Sequence, residues 1–261
     1  DLTQALQHID IVIHLAAKVH QMQDKDADYS KANALATKNL VEQAAKNKVK
    51  RFIFMSSIKV QGESTLLGMP FKEEDSPDPK DSYARSKLEA EHYVQSICRE
   101  RGMDFVILRP PLVYGPGVRA NFLKILKYVG RGWLLPFGKA HNKRSLIYID
   151  NLVSALGAVL EDPKAANQIF LIADKDSLTL TQLTRYLAQE MNTRIFLVPV
   201  PVGILAFIFK CTGQQSLNTR LFGTLEVSTS KIQSLLNWTP PIGSEEGLGK
   251  TAEWYRHECS R

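Results

Sequence analysis

A chain of 261 residues that is 44% hydrophobic and 23% charged is long enough for one large α/β unit or a large and a small lobe, and its composition excludes extended disorder. The 33 Lys and Arg against 27 Asp and Glu leave a charge of +6, which suits an anionic ligand, but no basic run marks a nucleic-acid stripe. Cys98, Cys211 and Cys259 are odd in number and lack metal-like spacing, which speaks against a disulfide framework or a metal site and for a reducing cytoplasm.

Asp1-Leu2-Thr3-Gln4 has neither the basic nor the apolar region of a signal peptide. Leu2, Leu6 and Ile9 are spaced to line the last turns of a helix, and Ile11-Val12-Ile13-His14-Leu15 then reads as a strand buried on both faces. Tyr29 to Lys48 is helical, with Ala32, Ala36, Leu40, Val41 and Ala44 on one face. Arg51 to Met55 is the next buried strand and ends at Ser56-Ser57; Lys59 to Ser82, broken by Gly62, Gly68, Pro70, Pro77 and Pro79, is a long loop. Asp81 or Ser82 caps a helix carrying Tyr83, Lys87, Ala90, Val94 and Ile97, Gly102 ends it, and Phe105 to Leu108 is a third buried strand. This alternation predicts a parallel, doubly wound sheet with ligands beyond the carboxyl ends of its strands, where His14, Ser57 and Arg109-Pro110-Pro111 stand.

Beyond Pro116 the elements shorten. Leu146 to Ile149 reads as a short strand before a helix begun by Asp150, Gln168 to Ile172 as another strand, and Thr179-Leu180-Thr181-Gln182 as a capping box for a helix through Met191. Ile195 to Phe209 is apolar, but Pro199 and Pro201 interrupt it and it is shorter than the ~20 residues of a spanning helix, so it reads as a strand and a buried helix. Ser228 to Glu258 reads as two helices joined at Asn237-Trp238-Thr239-Pro240-Pro241.

The chemistry gathers at Tyr83-Ala84-Arg85-Ser86-Lys87. Tyrosine and lysine four positions apart face one side of a helix, and Ser57, at the end of the preceding strand, is placed to meet them. A phenol with pKa ~10 is a poor base at neutral pH, and the Lys87 ammonium is expected to favour its phenolate. Such a tyrosine takes a proton from, or returns one to, an alcohol whose carbon loses or gains hydride.

Ile11 to Ala17, Asn33, Ser56-Ser57 with Gly62, Tyr83-x-x-x-Lys87, Leu108-Arg109-Pro110 and Tyr114-Gly115-Pro116-Gly117 resemble the extended short-chain dehydrogenase/reductases, and most of all their nucleotide-sugar epimerase/dehydratase group. The likeness continues through Asn121-Phe122-Leu123, Arg144 to Leu152, and Lys231 to Trp238 with Pro240 and Gly247-Leu248. It implies a Rossmann-like α/β fold: residues 1–115 form a truncated dinucleotide-binding core, and 116–261 form mainly a substrate lobe with segments returning to the core. By the same resemblance Tyr83 is the acid/base, Lys87 holds the nicotinamide ribose and Ser57 binds the reacting hydroxyl. His14, Leu15, Ala16, Ala17, Ser56 and Pro110 line the path of NAD, with NADP not excluded; Asn33 is a buried polar anchor. Arg144 grips the sugar-nucleotide diphosphate, Asn121 helps bind the nucleotide, and Arg220 is a second phosphate contact or an ordinary surface arginine.

Several positions depart from that pattern. Gln61 stands where a tyrosine often precedes Gly62, and Ile58-Lys59 stands where 4,6-dehydratases carry an Asp-Glu pair, which disfavours dehydration. Leu112 occupies the place of a phosphate-contacting asparagine of galactose epimerases. The family's opening strand, Gly-x-x-Gly-x-x-Gly loop and helix do not precede Asp1, so the sequence reads as lacking the segment that cradles the cofactor pyrophosphate. The expected activity is an NAD-dependent 4-epimerase of a UDP-hexose or UDP-N-acetylhexosamine, cytoplasmic, without nucleic acid, metal or membrane span, with a homodimer through the Tyr29 and Tyr83 helices expected from the family. A reductase or dehydrogenase of a 4-keto sugar nucleotide, and a non-catalytic fragment or binding module of this fold, stay open as alternatives.

Overall fold

The computed structural model describes residues 2–18, 26–132, 134–136, 138, 140, 142–201, 203–204 and 222–258. Four parallel strands form the central sheet in the order β1-β2-β3-β8: β1 (Ile11–His14), β2 (Arg51–Met55), β3 (Asp104–Arg109) and β8 (Gln168–Leu171). Successive residues of a strand point to opposite faces, and the apolar runs supply both. Phe52, Phe54, Phe105 and Ile107 pack on one face against Val41, Ala44, Ala90, Val94 and Cys98, which come from α2 (Ala36–Lys46) and α3 (Ser82–Arg101). Ile53, Val106 and Leu108 pack on the other against Leu152, Ala155 and Val159 of α5 (Ile149–Glu161), together with Ile232 and Trp238 at α7 (Ser230–Leu236).

β1 departs from the expectation of a strand buried on both faces. It is an edge strand among the described residues, and Ile13 is 40% exposed. The helix ahead of β2 also differs: α1 (Asp26–Tyr29) runs into a π-helical stretch, Ser30–Leu35, before α2. There the Asn33 side chain donates to Ser86 Oγ (3.0 Å) and accepts from the Lys18 amide (2.7 Å), so it is a buried anchor between α3 and the chain beyond β1.

Helix α3 is capped at both ends by its own sequence. Asp81 accepts from the Ala84 amide at 2.8 Å, and Gly102 takes the left-handed φ of 66° that closes the last turn. Between β2 and α3 a short 3-10 turn, Ile58–Val60, precedes a loop that is ordered by distant partners. The Thr65 amide donates to Thr224 O at 2.7 Å, the Phe71 amide to Glu226 O at 2.9 Å and the Ser228 amide back to Phe71 O at 2.9 Å.

A further apolar cluster lies outside the central sheet. Tyr114 from β4 (Leu112–Tyr114), Phe122 and Leu126 from α4 (Ala120–Gly130), and Leu135 from β5 (Leu134–Leu135) meet Tyr148 from β7 (Leu146–Tyr148). Leu183 and Leu187 of α6 (Leu180–Glu190) and Leu248 and Ala252 of α8 (Ser244–Glu258) complete it. β6 (Lys143–Arg144) pairs with β9 (Leu178–Thr179), and β5 with β10 (Phe196–Leu197). The capping box read at Thr179 and Gln182 is present, and α5 begins one residue before Asp150. Gly115 packs against the start of α5: a Cβ there would lie 2.5 Å from Ile149 Cγ2, so only glycine fits. The helix expected after Pro201 falls almost wholly outside the described residues, and no helix among those described is long and apolar enough to cross a membrane.

Candidate active site

The carboxyl ends of β1, β2 and β3 bring His14, Ser56, Ser57 and Pro110 together under the first turns of α3. Hydrogen bonding between β2 and β3 continues past the end of β2, with the Ser56 amide on Leu108 O at 2.8 Å and the Ile58 amide on Pro110 O at 2.9 Å. Ser57 is thereby set in register with the buried Arg109-Pro110 segment, and its hydroxyl caps the 3-10 turn by accepting from the Lys59 amide at 3.3 Å. The same hydroxyl acts on the Tyr83 phenol, opposing the rise of its pKa.

One turn further along α3, the buried Lys87 ammonium donates to the Met55 carbonyl oxygen at 2.7 Å and lies 4.6 Å from the centroid of the Phe54 ring. Burial pulls its pKa down to about 8, partly offset by the Glu91 carboxylate. The expectation that Lys87 holds the Tyr83 phenol below its ordinary value is not met. Burial and then the Asp81 carboxylate push the phenol up to about 12, opposed by Ser57.

His14 is buried at the end of β1, stacked on Phe54 with centroids 5.6 Å apart. Its Nε2 lies 2.9 Å from Thr37 Oγ1; that hydroxyl gives its own hydrogen to Asn33 O at 2.6 Å, so the imidazole is the donor. Burial, and then the neighbouring Lys87 charge, lower the His14 pKa to about 4, and the ring is neutral at physiological pH. Leu15 and Ala16 follow as exposed residues and Ala17 is half-buried.

Ser56 is turned away from the crevice. Its hydroxyl donates to Glu91, whose carboxylate also takes Arg109 Nε at 2.9 Å and Nη2 at 2.6 Å. This buried pair beneath the crevice, between α3 and β3, is a supporting group that the reading by motif passes over. Its signal is present in the spacing, because Glu91 follows Lys87 by four residues and Tyr83 by eight, on one helix face.

The substrate-side candidates are held by other elements. Asn121 is exposed on the first turn of α4. Arg144, half-buried on β6, donates from Nη1 to Gly223 O at 2.9 Å and pairs through its backbone with Leu225. Residues 223–228, which the long loop after Ser57 also grips, thus link Arg144 to the turn that carries Ser57. Arg220 lies outside the described residues. Gln61, in the place of the expected tyrosine, is buried and donates to Lys72 O, which makes it a brace of the loop.

Residues 1–173 match the NAD dependent epimerase/dehydratase family. The chain is 42% identical over 266 residues to a UDP-glucose 4-epimerase of Vibrio cholerae, covering 100% of this chain and 81% of that protein. Among solved structures it is similar to a UDP-glucuronic acid 4-epimerase from Bacillus cereus in complex with NAD, with TM-score 0.79 and 25% identity over 98% of this chain and 78% of the other. A UDP-glucose 4-epimerase from Thermotoga maritima with UDP-glucose gives TM-score 0.77 at 25% identity, covering 97% of this chain and 79% of that one.

Proposed function

The chain belongs to the NAD dependent epimerase/dehydratase family, and from that premise we propose that it is an NAD-dependent nucleotide-sugar 4-epimerase acting on a UDP-hexose or UDP-N-acetylhexosamine. The observation that carries the reading is the placement of Tyr83 and the buried Lys87 one turn apart on α3, with Lys87 bonded to the strand that leads into Ser57 at the carboxyl end of a parallel sheet. NAD suits the donor set. Among the described residues the Lys87 ammonium donates a single hydrogen bond, to Met55 O, and so keeps donors for ribose hydroxyls.

Bound NAD would supply a hydride acceptor for the sugar C4 that also returns the hydride, and its positive charge would favour the Tyr83 phenolate. Tyr83, ionised to its phenolate, takes the proton of the 4-hydroxyl as hydride leaves C4 and gives it back to the 4-keto oxygen as hydride returns to the other face. Ser57 donates to the same sugar oxygen and fixes its direction. Lys87, held by Met55 O, orients the ribose, and neutral His14 closes the wall behind Lys87 without adding a second cation. Arg144 takes the diphosphate as a planar guanidinium, with Asn121 on the nucleotide.

We also take residues 1–115 as mainly the cofactor half and 116–261 as mainly the substrate half, with β8, α5 and α7 returning to the first. The reading extends to a cytoplasmic location, supported by the free buried thiol of Cys98, and to a homodimer through the helices of Tyr29 and Tyr83, where exposed Leu35 would be covered. Incubation of the protein with NAD and UDP-glucose or UDP-N-acetylglucosamine, followed by proton NMR of the sugar, is expected to give the C4 epimer without net NADH. Steady NADH formation with no epimer would overturn the assignment.

A further inference from the structure

Lys59 stands in the 3-10 turn that begins at Ser57, and its ammonium forms an ion pair with Asp81, the residue that caps the helix of Tyr83. Asp81 divides its two oxygens: Oδ1 accepts from the Ala84 amide at 2.8 Å, and Oδ2 takes Lys59. Glu63 reaches the same ammonium at 3.4 Å, and the Asp78 amide donates to Val60 O at 3.0 Å, so the base of the long loop closes at this point. All three charged side chains are less than one-third exposed, at 29% for Lys59, 24% for Glu63 and 23% for Asp81, which limits screening by solvent. The motif reading gave Lys59 only a negative meaning, as the residue that replaces an acidic pair.

We propose that Lys59 and Asp81 are positioning residues that clasp the Ser57 turn to the start of the Tyr83 helix, setting both the approach of Ser57 to Tyr83 and the charge that Tyr83 faces. The inference rests on Tyr83 as the proton-transfer group. Asp81 bears on Tyr83 in two ways: its cap fixes the first turn on which the phenol stands, and its charge disfavours the phenolate. Lys59 pairs with that carboxylate from the far side, and its own amide hydrogen-bonds Ser57. The other charged groups on the elements that meet here are Glu63 from the loop, Lys87 and Glu91 from α3 and Arg109 from β3; His14 from β1 is neutral.

The clasp predicts opposite effects from its two halves. Lys59→Met leaves Asp81 uncompensated and shifts the Tyr83 phenolate titration to higher pH, whereas Asp81→Asn, which keeps a capping oxygen, shifts it to lower pH. The change in phenolate fraction at fixed pH is expected to be about three- to tenfold in each direction. The readout is near-ultraviolet phenolate absorbance after a rapid pH jump, taken as the difference from the same protein carrying Tyr83→Phe, and it needs neither cofactor nor turnover. Lys59→Arg should restore the wild-type titration, and Asp81→Ser, which also caps, serves if Asp81→Asn folds poorly. The kcat pH profile should move with the titration. Shifts of both variants in one direction, or in neither, overturn the clasp. A titration that moves as expected while the kcat profile stays fixed upholds the clasp and removes Tyr83 from proton transfer.

Discussion

The Lys87 ammonium donates to the Met55 carbonyl oxygen across 2.7 Å, so the helix that carries Tyr83 is pinned to the last residue of the strand that leads into Ser57. A lysine buried this deeply has its pKa pulled down to about 8, which makes its charge conditional on pH in a way that an exposed lysine's is not. The ammonium is present below that value and is lost as pH rises through it. Epimerase activity is therefore expected to lose this support above about pH 8. Lys87→Met should lower kcat/KM by on the order of a hundredfold and abolish that limb of the pH profile. An unchanged limb in Lys87→Met would assign it to another group.

Tyr83→Phe removes one oxygen and keeps the ring that packs at the start of α3. A loss of about 10²–10⁴ in kcat is expected, the range for a positioned proton-transfer group, with little change in thermal midpoint. Ser57→Ala should be milder in kcat, but it also removes the cap of the 3-10 turn, so its stability should fall by about 1 kcal/mol. Parallel denaturation curves and sugar NMR separate the two effects.

His14 makes an acid-side prediction. Its folded pKa, about 4, lies below the ordinary 6.5, so between these values the unfolded chain binds the proton and the folded chain does not. Stability from this group is present above pH 6.5 and declines as pH falls toward 4, by up to about 3 kcal/mol. His14→Gln, which keeps a donor for Thr37, is expected to flatten the fall of urea midpoint across that window. Asp174 and Glu73, whose carboxyls burial raises, work in the opposite sense in both proteins and cancel in the comparison.

What was legible in the sequence is what short-range physics writes locally. The continuous apolar run Phe52-Ile53-Phe54 marks a strand buried on both faces, Asp81 and Gly102 mark the ends of α3, and Thr179 with Gln182 marks the start of α6. Tyr83, Lys87 and Ser57 were legible because a helix turn and a strand end impose their spacing. The order of the loop after Ser57 was not, because its partners at 224–228 lie roughly 160 positions away, and backbone pairing at that distance leaves no mark on composition. The direction of the Tyr83 shift was also missed: proximity to Lys87 on the helix says nothing of how deeply the phenol is buried, nor of the aspartate cap beside it.

The Glu91–Arg109 pair supplies the last test, because it is buried on both sides, with side chains 0% and 4% exposed. The carboxylate accepts two guanidinium hydrogens and the Ser56 hydroxyl, so removing it orphans three donors in one step. Glu91→Ala should cost about 3–5 kcal/mol, the usual penalty for leaving one buried charge unpaired. Replacing both residues with apolar side chains of similar volume, Glu91→Leu with Arg109→Met, is expected to recover most of that loss, since two desolvation costs disappear together. The pair also touches the chemistry. Glu91 is the charge that opposes the lowering of the Lys87 pKa, so in the stable double variant the lysine should titrate at lower pH than in the wild type. Urea denaturation reads the first effect and the alkaline limb of kcat/KM the second. Recovered stability with an unmoved limb would confine the pair to holding α3 against β3.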